Sequence, residues 1–269
     1  MVKKAIIPAA GYGTRSLPIT KVIPKEMFPI GVRPAIHFVV EEAIESGIEE
    51  ILIVVSRTKN LIVDYFDHSL ELEAFLEKKS KTHLLTKEFV PNIQLYYTRQ
   101  PYARGLGDAV RLGKRFVGNE PFAILLPDDV ILGGKKPAIK QLIEEYETHG
   151  HSVIGLNKVD AEHLHKYGVI KEKELGNEMY NVIDIIEKPK ENPPSNLAVI
   201  GRYVFTPSLF SYLELLNPEE GEEIQLTNAI KELLAKEACY GKILDGKRFD
   251  IGSPHDYISL VNMIYQKGI

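Results

Sequence analysis

An α/β fold is expected, with a Rossmann-like, mixed and mostly parallel sheet flanked by helices. Three observations carry that expectation. Short apolar runs alternate with amphipathic stretches through the first half of the chain, the order that builds a parallel sheet with helices on its faces. The first apolar run opens directly onto a glycine-containing loop, Gly11-Tyr12-Gly13, and open α/β sheets hold ligands beyond the carboxyl ends of their strands. In the second half, Asp- and Gly-containing segments separate some of the strand-like runs, which predicts antiparallel additions to the sheet.

Taken in order, strands are expected over 4–9, 49–55, 93–98 and 121–126, with helices over 34–46, 58–78 and 106–117 between them. In the first helix Ile36, Val39, Val40, Ala43 and Ile44 share one apolar face, and Gly47 is placed to end it. Further strands are expected over 152–158, 168–172, 180–187 and 198–205, and helices over 207–215, 226–237 and 254–266. The segment KEKELGNEM, 171–179, reads as an exposed turn, and the proline-rich 187–196 as a loop. Neither has the length of a domain linker, so one domain over residues 1–269 is expected. The charged residues from Glu71 to Glu88 read as a solvated helix and connection.

Composition narrows the function. A chain of 269 residues with 44% hydrophobic and 26% charged residues can bury the core of one large domain or two small ones. A net charge of -4 argues against a general nucleic-acid binder, and the absence of Trp argues against a single-strand stacking platform. The one cysteine, Cys239, cannot form an internal disulfide; its alanine-rich, helix-like context makes it a small core residue. No run approaches the length of a membrane span and no secretory signal precedes the first strand, so no membrane partner is expected and the cytoplasm is the expected compartment.

The first strand leads through Ala10 into Gly11, Gly13, Thr14 and Arg15, followed by Lys21 and Lys25 among prolines. Glycine lets backbone N–H groups approach phosphate oxygens, and fixed cations offset their charge. On the glycines alone, a strand-terminal turn is the competing reading. A dinucleotide fingerprint is not completed, because position 16 is Ser and Pro18 and Pro24 oppose an immediate helix. Lys25, within Pro24-Lys25-Glu26-Met27, sits on a stiff loop suited to presenting charge with little reorganisation.

Two further blocks carry chemistry. A strand ends at Gln100 and a helix begins near Gly107; the amide of Gln100 can both donate to and accept from the edge of a pyrimidine, and Gly105 allows close backbone approach. Asp108 reads as a helix cap, or as a residue that either faces away from the phosphates or approaches the metal. The strand AILLP then ends in Asp128-Asp129. Magnesium prefers oxygen ligands and is often held by one or two carboxylates plus phosphate oxygens. Asp250 is the candidate partner carboxylate, with solvated loop aspartates as the alternative. Glu187-Lys188 at another strand end could bind sugar hydroxyls and a sugar phosphate, or be surface charge. His163 and His165 lack a third ligand at metal spacing and read as exposed residues.

GYGTRSLP, then TK and PKEMFPI, resemble the signature of the sugar-nucleotide pyrophosphorylases, and more narrowly of the bacterial UTP–glucose-1-phosphate uridylyltransferases. GLG, LPDD, YGV, EKP, GRY, EIQLT and FDIGSP follow in the right order, so the resemblance spans residues 3 to 265. It implies a glycosyltransferase-A-like nucleotidyltransferase fold, nucleotide-binding over about 1–130 and sugar-binding over about 131–269. It implies that Arg15, Lys25 and Lys188 act on the phosphates. It puts Ala10, Gly11, Gly13, Gln100, Gly105 and Asp129 at the nucleotide, and Gly168, Glu187, Gly201 and Glu223 at the sugar. Asp128 and Asp250 would hold Mg2+, with Asp129 as the alternative ligand. The implied reaction joins UTP and glucose 1-phosphate into UDP-glucose and pyrophosphate, in a homodimer or homotetramer. Two positions depart from the pattern: Asp108 stands where His or Ser is common, and Asn228 where Asp is usual. A thymidylyltransferase or another hexose-1-phosphate enzyme is the nearest alternative. A non-catalytic sugar-nucleotide sensor is the alternative of another class, and a nicotinamide-dependent oxidoreductase is disfavoured by the missing third glycine.

Overall fold

A computed structural model describes residues 1–85, 92–216 and 223–267. Glu88, the far end of the expected charged connection, and Glu222 lie outside the described residues. In chain order the strands are β1 (Lys4–Ala9), β2 (Pro29–Ile30), β3 (Arg33–Pro34), β4 (Glu50–Val55), β5 (Gln94–Arg99), β6 (Phe122–Leu125), β7 (Asp129–Leu132), β8 (Ser152–Lys158), β9 (Gly168–Gly176), β10 (Met179–Glu187), β11 (Leu197–Phe205), β12 (Cys239–Ile243) and β13 (Lys247–Asp250). The helices are α1 (Ala35–Glu45), α2 (Asn60–Phe66), α3 (Leu70–Lys78), α4 (Leu106–Arg111), α5 (Lys114–Val117), α6 (Ala138–His149), α7 (Leu209–Leu215), α8 (Leu226–Leu234) and α9 (Pro254–Lys267).

One nine-stranded sheet, ordered β5-β4-β1-β6-β11-β8-β12-β10-β9, runs through both halves of the sequence. β5, β4, β1 and β6 are mutually parallel, as the alternating first half requires. β11 then enters antiparallel between β6 and β8, and the β9–β10 hairpin closes the far edge. Side chains alternate across each strand. Ile6, Leu52, Val54 and Ile124 therefore face one core, with Val110, Leu213 and Ile230 of α4, α7 and α8. Ala5, Ile7, Ile51 and Ile53 face the opposite core, with Val39, Ile62 and Ile139 of α1, α2 and α6. A separate ribbon pairs β7 with β13 and places Asp129 opposite Asp250; Val130 and Phe249 pack it under Leu260 and Ile264 of α9.

Several elements differ from expectation. The helix expected over 58–78 is broken after Phe66, where Asp67 is extended, and resumes at Leu70. The helix expected over 106–117 is divided at Gly113, which lies so close to the sheet that an added Cβ would meet the Ile6 side chain at 2.4 Å and force it to shift. The helix expected to reach 237 ends at Leu234. Cys239 is buried as expected, but on strand β12 and not in a helical context. KEKELGNEM is mostly strand, and only Asn177 and Glu178, with φ of 51° and 60°, form the tight turn. Helix α6 had no expected counterpart, although Ile139, Leu142 and Ile143 make its buried stripe. Among the described residues no helix is long and apolar enough to cross a membrane.

Candidate active site

Strand β1 delivers the first loop. Ala10 is buried behind the strand end and Gly11 is exposed. Gly13 has φ 66°, its carbonyl accepts a 2.9 Å bond from Thr20 Oγ1, and an added Cβ would press on Thr20 at 3.0 Å. Glycine is the residue that takes this backbone without penalty. Single 3-10 turns at Thr14–Ser16, Ile19–Lys21 and Lys25–Met27 follow in place of a long helix. The last turn holds Lys25 with its Nζ 2.5 Å from Asp128 Oδ2. Behind it, Glu26 is 1% exposed and takes both its bonds from Lys59 Nζ, at 2.7 and 2.8 Å. Burial opposes the charge on Lys25, but Asp128 and Glu26 outweigh it and hold the ammonium above its ordinary range. Lys59 has the reverse balance: burial lowers its pKa more than Glu26 restores it.

Three carboxylates and three cations meet where β6 ends and β13 returns. Arg15 reaches Asp250 Oδ2 at 2.9 Å and Asp128 Oδ2 at 3.8 Å, so it bridges the two expected metal ligands. Asp128 is pulled below the ordinary carboxylate range: burial alone would raise it, and Lys25 and Arg15 more than reverse that. Asp129 goes the other way, raised by burial despite Arg248. Its oxygens are engaged by Arg248 Nη2 at 2.5 Å and by the Gly201 N–H at 3.0 Å. Asp128 and Asp129 are sequence neighbours with opposite environments. The first faces Lys25 and the half-exposed Arg15, and the second is tied to Arg248 and the Gly201 N–H.

The residues expected at the sugar border a cavity of about 1040 Å³. Arg15, Asp128, Asp129, Gly168, Glu187, Lys188, Gly201, Glu223 and Asp250 all line it. Lys188 has φ 46°, a left-handed backbone that is uncommon for a side-chain-bearing residue and is held by its N–H bond to the Tyr167 carbonyl. Its Nζ lies 3.2 Å from Glu187 and is half exposed. An added Cβ at Gly168 would meet Thr227 at 3.0 Å, and one at Gly201 would meet Asp129 Oδ2 and Leu126 at 2.7 Å. A side chain at Gly201 would displace Asp129 or Leu126, whereas at Gly168 Thr227 would have to give by only a few tenths of an ångström. His163 and His165 also line the cavity, and among the described residues no His/Cys/Asp/Glu group of three or more could hold a metal.

Ala10, Gly11, Gly13, Lys25, Gln100 and Gly105 do not line that cavity. Lys25 joins it through Asp128. Gly105 joins it through Glu223, whose Cβ an added methyl would meet at 2.9 Å. Gln100, 5% exposed, follows β5 and donates from Nε2 to the Gly105 carbonyl at 3.2 Å and to Asp108 Oδ2 at 2.9 Å. Asp108 thus has both oxygens engaged, by Gln100 and by Arg111.

Two arginines at the site had no expected role. Arg248 stacks on Tyr167 with its guanidinium carbon 5.0 Å from the ring centroid and donates to the Tyr167 hydroxyl at 3.1 Å. Arg202 is fully buried, forks onto Glu42 at 2.7 and 2.8 Å, and donates to the carbonyls of Leu126, Asp129 and Gly201. It therefore pins the loop that carries Asp128. The only signal in the sequence is an arginine inside otherwise apolar β11 and another two residues before Asp250.

The sequence profile of the nucleotidyl transferase family matches residues 4–267. The chain belongs to the nucleotidyl transferase family. Within it, a Bacillus subtilis (strain 168) protein provisionally named a UTP–glucose-1-phosphate uridylyltransferase is 58% identical over 261 residues, covering 97% of this chain and 96% of the relative. A Staphylococcus epidermidis UTP–glucose-1-phosphate uridylyltransferase is 47% identical over 260 residues, covering 96% and 90%. The fold matches a crystal structure of UDP-glucose pyrophosphorylase complexed with UDP-glucose, with TM-score 0.88, 41% identity and coverage of 99% and 100%. The nucleotidyl transferase family generally uses a divalent metal. The donor set fits one: Asp128 and Asp250 offer carboxylate oxygens already bridged by a cation, Arg15, while Asp129 is occupied by Arg248.

Proposed function

We propose that this chain transfers the uridylyl group of UTP to glucose 1-phosphate, giving UDP-glucose and pyrophosphate. The observation that carries the reading is the cluster of Arg15, Asp128 and Asp250, with Lys25 paired to Asp128 behind it, in the lining of a cavity that Glu187 and Lys188 also line. A phosphate-handling site beside a hydroxyl-binding site is what joining a nucleotide to a sugar phosphate requires. Relatives bearing the uridylyltransferase name over nearly the whole chain support the choice of substrates.

An oxygen of the sugar phosphate forms a bond to the α-phosphorus of UTP. The bond from that phosphorus to the α–β bridging oxygen breaks, and pyrophosphate leaves with the electron pair. The attacking phosphate is already anionic, so no protein base is needed, and catalysis is positioning plus charge stabilisation. Lys188 holds the attacking phosphate. Arg15 and Lys25 leave Asp250 and Asp128 for the departing pyrophosphate. Gly11 and Gly13 bring backbone N–H groups to the triphosphate, with Ala10 closing the strand end behind them. Gln100 and Gly105 take the uracil edge, and Gly168, Glu187, Gly201 and Glu223 take the glucose. Asp129 acts here by holding Arg248 and Gly201 in place. Mg2+, carried by Asp128 and Asp250, would supply charge neutralisation between the two substrates' phosphates.

The chain is taken as one domain, supported by a sheet that both halves build. A homodimer or homotetramer is part of the proposal, supported by exposed Leu70, Leu72 and Phe75 on α3. The cytoplasm suits its single buried thiol.

A substrate panel tests the reading. UTP, dTTP, CTP and ATP are each paired with glucose 1-phosphate and with other hexose 1-phosphates, and pyrophosphate release is followed. UTP with glucose 1-phosphate is expected to give the highest kcat/KM. A higher value for dTTP would make the chain a thymidylyltransferase.

A further inference from the structure

Asp108 belongs to no part of the chemistry above, yet it is buried at 5% exposure beside the residue proposed to read the base. Its two oxygens have separate partners. Oδ1 takes Arg111 Nη2 at 2.6 Å, one turn along α4, and Oδ2 takes Gln100 Nε2 at 2.9 Å. Gln100 Nε2 has a second acceptor in the Gly105 carbonyl at 3.2 Å. A carboxylate and a carbonyl can only accept, so the amide cannot be turned over without setting its oxygen against both. Both amide protons are engaged, and no N–H or O–H among the described residues donates to Oε1. The side chain that could either donate or accept is thereby fixed with an acceptor as its unengaged group.

We propose that Asp108 is a specificity-determining positioning residue: it locks the Gln100 amide so that Oε1 accepts from the imide N–H of uracil. Cytosine carries an acceptor at that ring nitrogen and would set two lone pairs against each other. Arg111 holds Asp108 in turn, making a relay from the solvent side of α4 to the base. The proposal rests on Gln100 being the base reader. A buried polar group left facing a like group discriminates far more strongly than a lost apolar contact.

The test compares kcat/KM for UTP and CTP in the parent, Asp108→Asn, Asp108→Ala and Gln100→Ala. An Asn at 108 can turn its own amide toward Oε1 and so accommodates either orientation of Gln100. The UTP-over-CTP preference is expected to fall by about tenfold in Asp108→Asn. The fall should appear in the KM for UTP, with kcat and the KM for glucose 1-phosphate little changed; a purely structural defect would move all three. If Gln100→Ala lowers the preference but both folded Asp108 variants keep it, base reading stands and the lock is refuted. If Gln100→Ala also keeps it, Gln100 does not read the base and the lock falls with it. Where thermal unfolding shows that neither Asp108 variant folds, Arg111→Met, changed at a part-exposed side chain, decides: a threefold or larger loss of preference supports the relay, and an unchanged preference overturns it.

Discussion

Arg248 Nη2 and Asp129 Oδ1 lie 2.5 Å apart in a nearly buried ion pair. The pair separates two adjacent aspartates by role. Asp129 is tied to Arg248 and to the Gly201 N–H, whereas Asp128 meets Lys25 and Arg15, cations that a phosphate can draw away.

Removing the two carboxylates should therefore do different damage. Asp129→Asn leaves Arg248 without its counter-charge, and breaking a buried pair costs about 3–5 kcal/mol. The denaturant midpoint should drop clearly. Asp250→Asn should leave the midpoint near the parent's, because its partner Arg15 is 58% exposed, yet lower turnover by on the order of a hundredfold or more. Chelation of divalent metal should abolish turnover in the parent. Full activity in Asp250→Asn would remove it from the metal site.

The two lysines should fail differently in calorimetry. Lys188→Ala should weaken glucose 1-phosphate and UDP-glucose while leaving UTP largely intact. Lys25→Ala should weaken UTP and pyrophosphate while sparing UDP-glucose. Tight UDP-glucose binding by Lys188→Ala would move the sugar site elsewhere.

How much of this was legible in the sequence follows from where each signal resides. Strand β1, its glycine loop and the LPDD turn were readable because apolar runs and glycines act locally. Helix α6 and strands β7, β12 and β13 were not, because their burial comes from partners distant in sequence: in β7, Val130 packs with Phe249 and α9, while Ile131 packs in the core of α1 and α6. The Asp128–Asp129 distinction was likewise hidden. Nothing in the dipeptide tells that Arg248, 119 positions beyond Asp129, reaches one carboxylate and not the other. Asp108 read as a cap, as facing away from the phosphates or as approaching the metal; the helix start has no side-chain cap bond, and its hold on Gln100 needed the geometry.

Arg202 gives a prediction about the loop under the site. It is fully buried, pairs with Glu42 and donates to three carbonyls around Asp128. Glu42→Gln should destabilise by about 3–5 kcal/mol, since the guanidinium stays buried without its counter-charge. A midpoint within error of the parent's would show that Arg202 finds another anion.

Burial pushes the Cys239 thiol up to about 12, so it stays protonated throughout the neutral range. The thiolate is the reactive form. A disulfide reagent at pH 8 should therefore find no thiol in the folded chain and one per chain in denaturant. Rapid reaction before unfolding would mean that β12 opens locally.

The central claim is group transfer, not binding, and one labelling experiment tests it most directly. UTP carrying 32P at the α-phosphorus is incubated with the protein, a divalent metal and glucose 1-phosphate. The predicted result is label in UDP-glucose, with one pyrophosphate released for each labelled product and none formed when the metal is chelated. Label remaining in UTP while UTP and UDP-glucose both bind would contradict the account and leave a sugar-nucleotide sensor in its place.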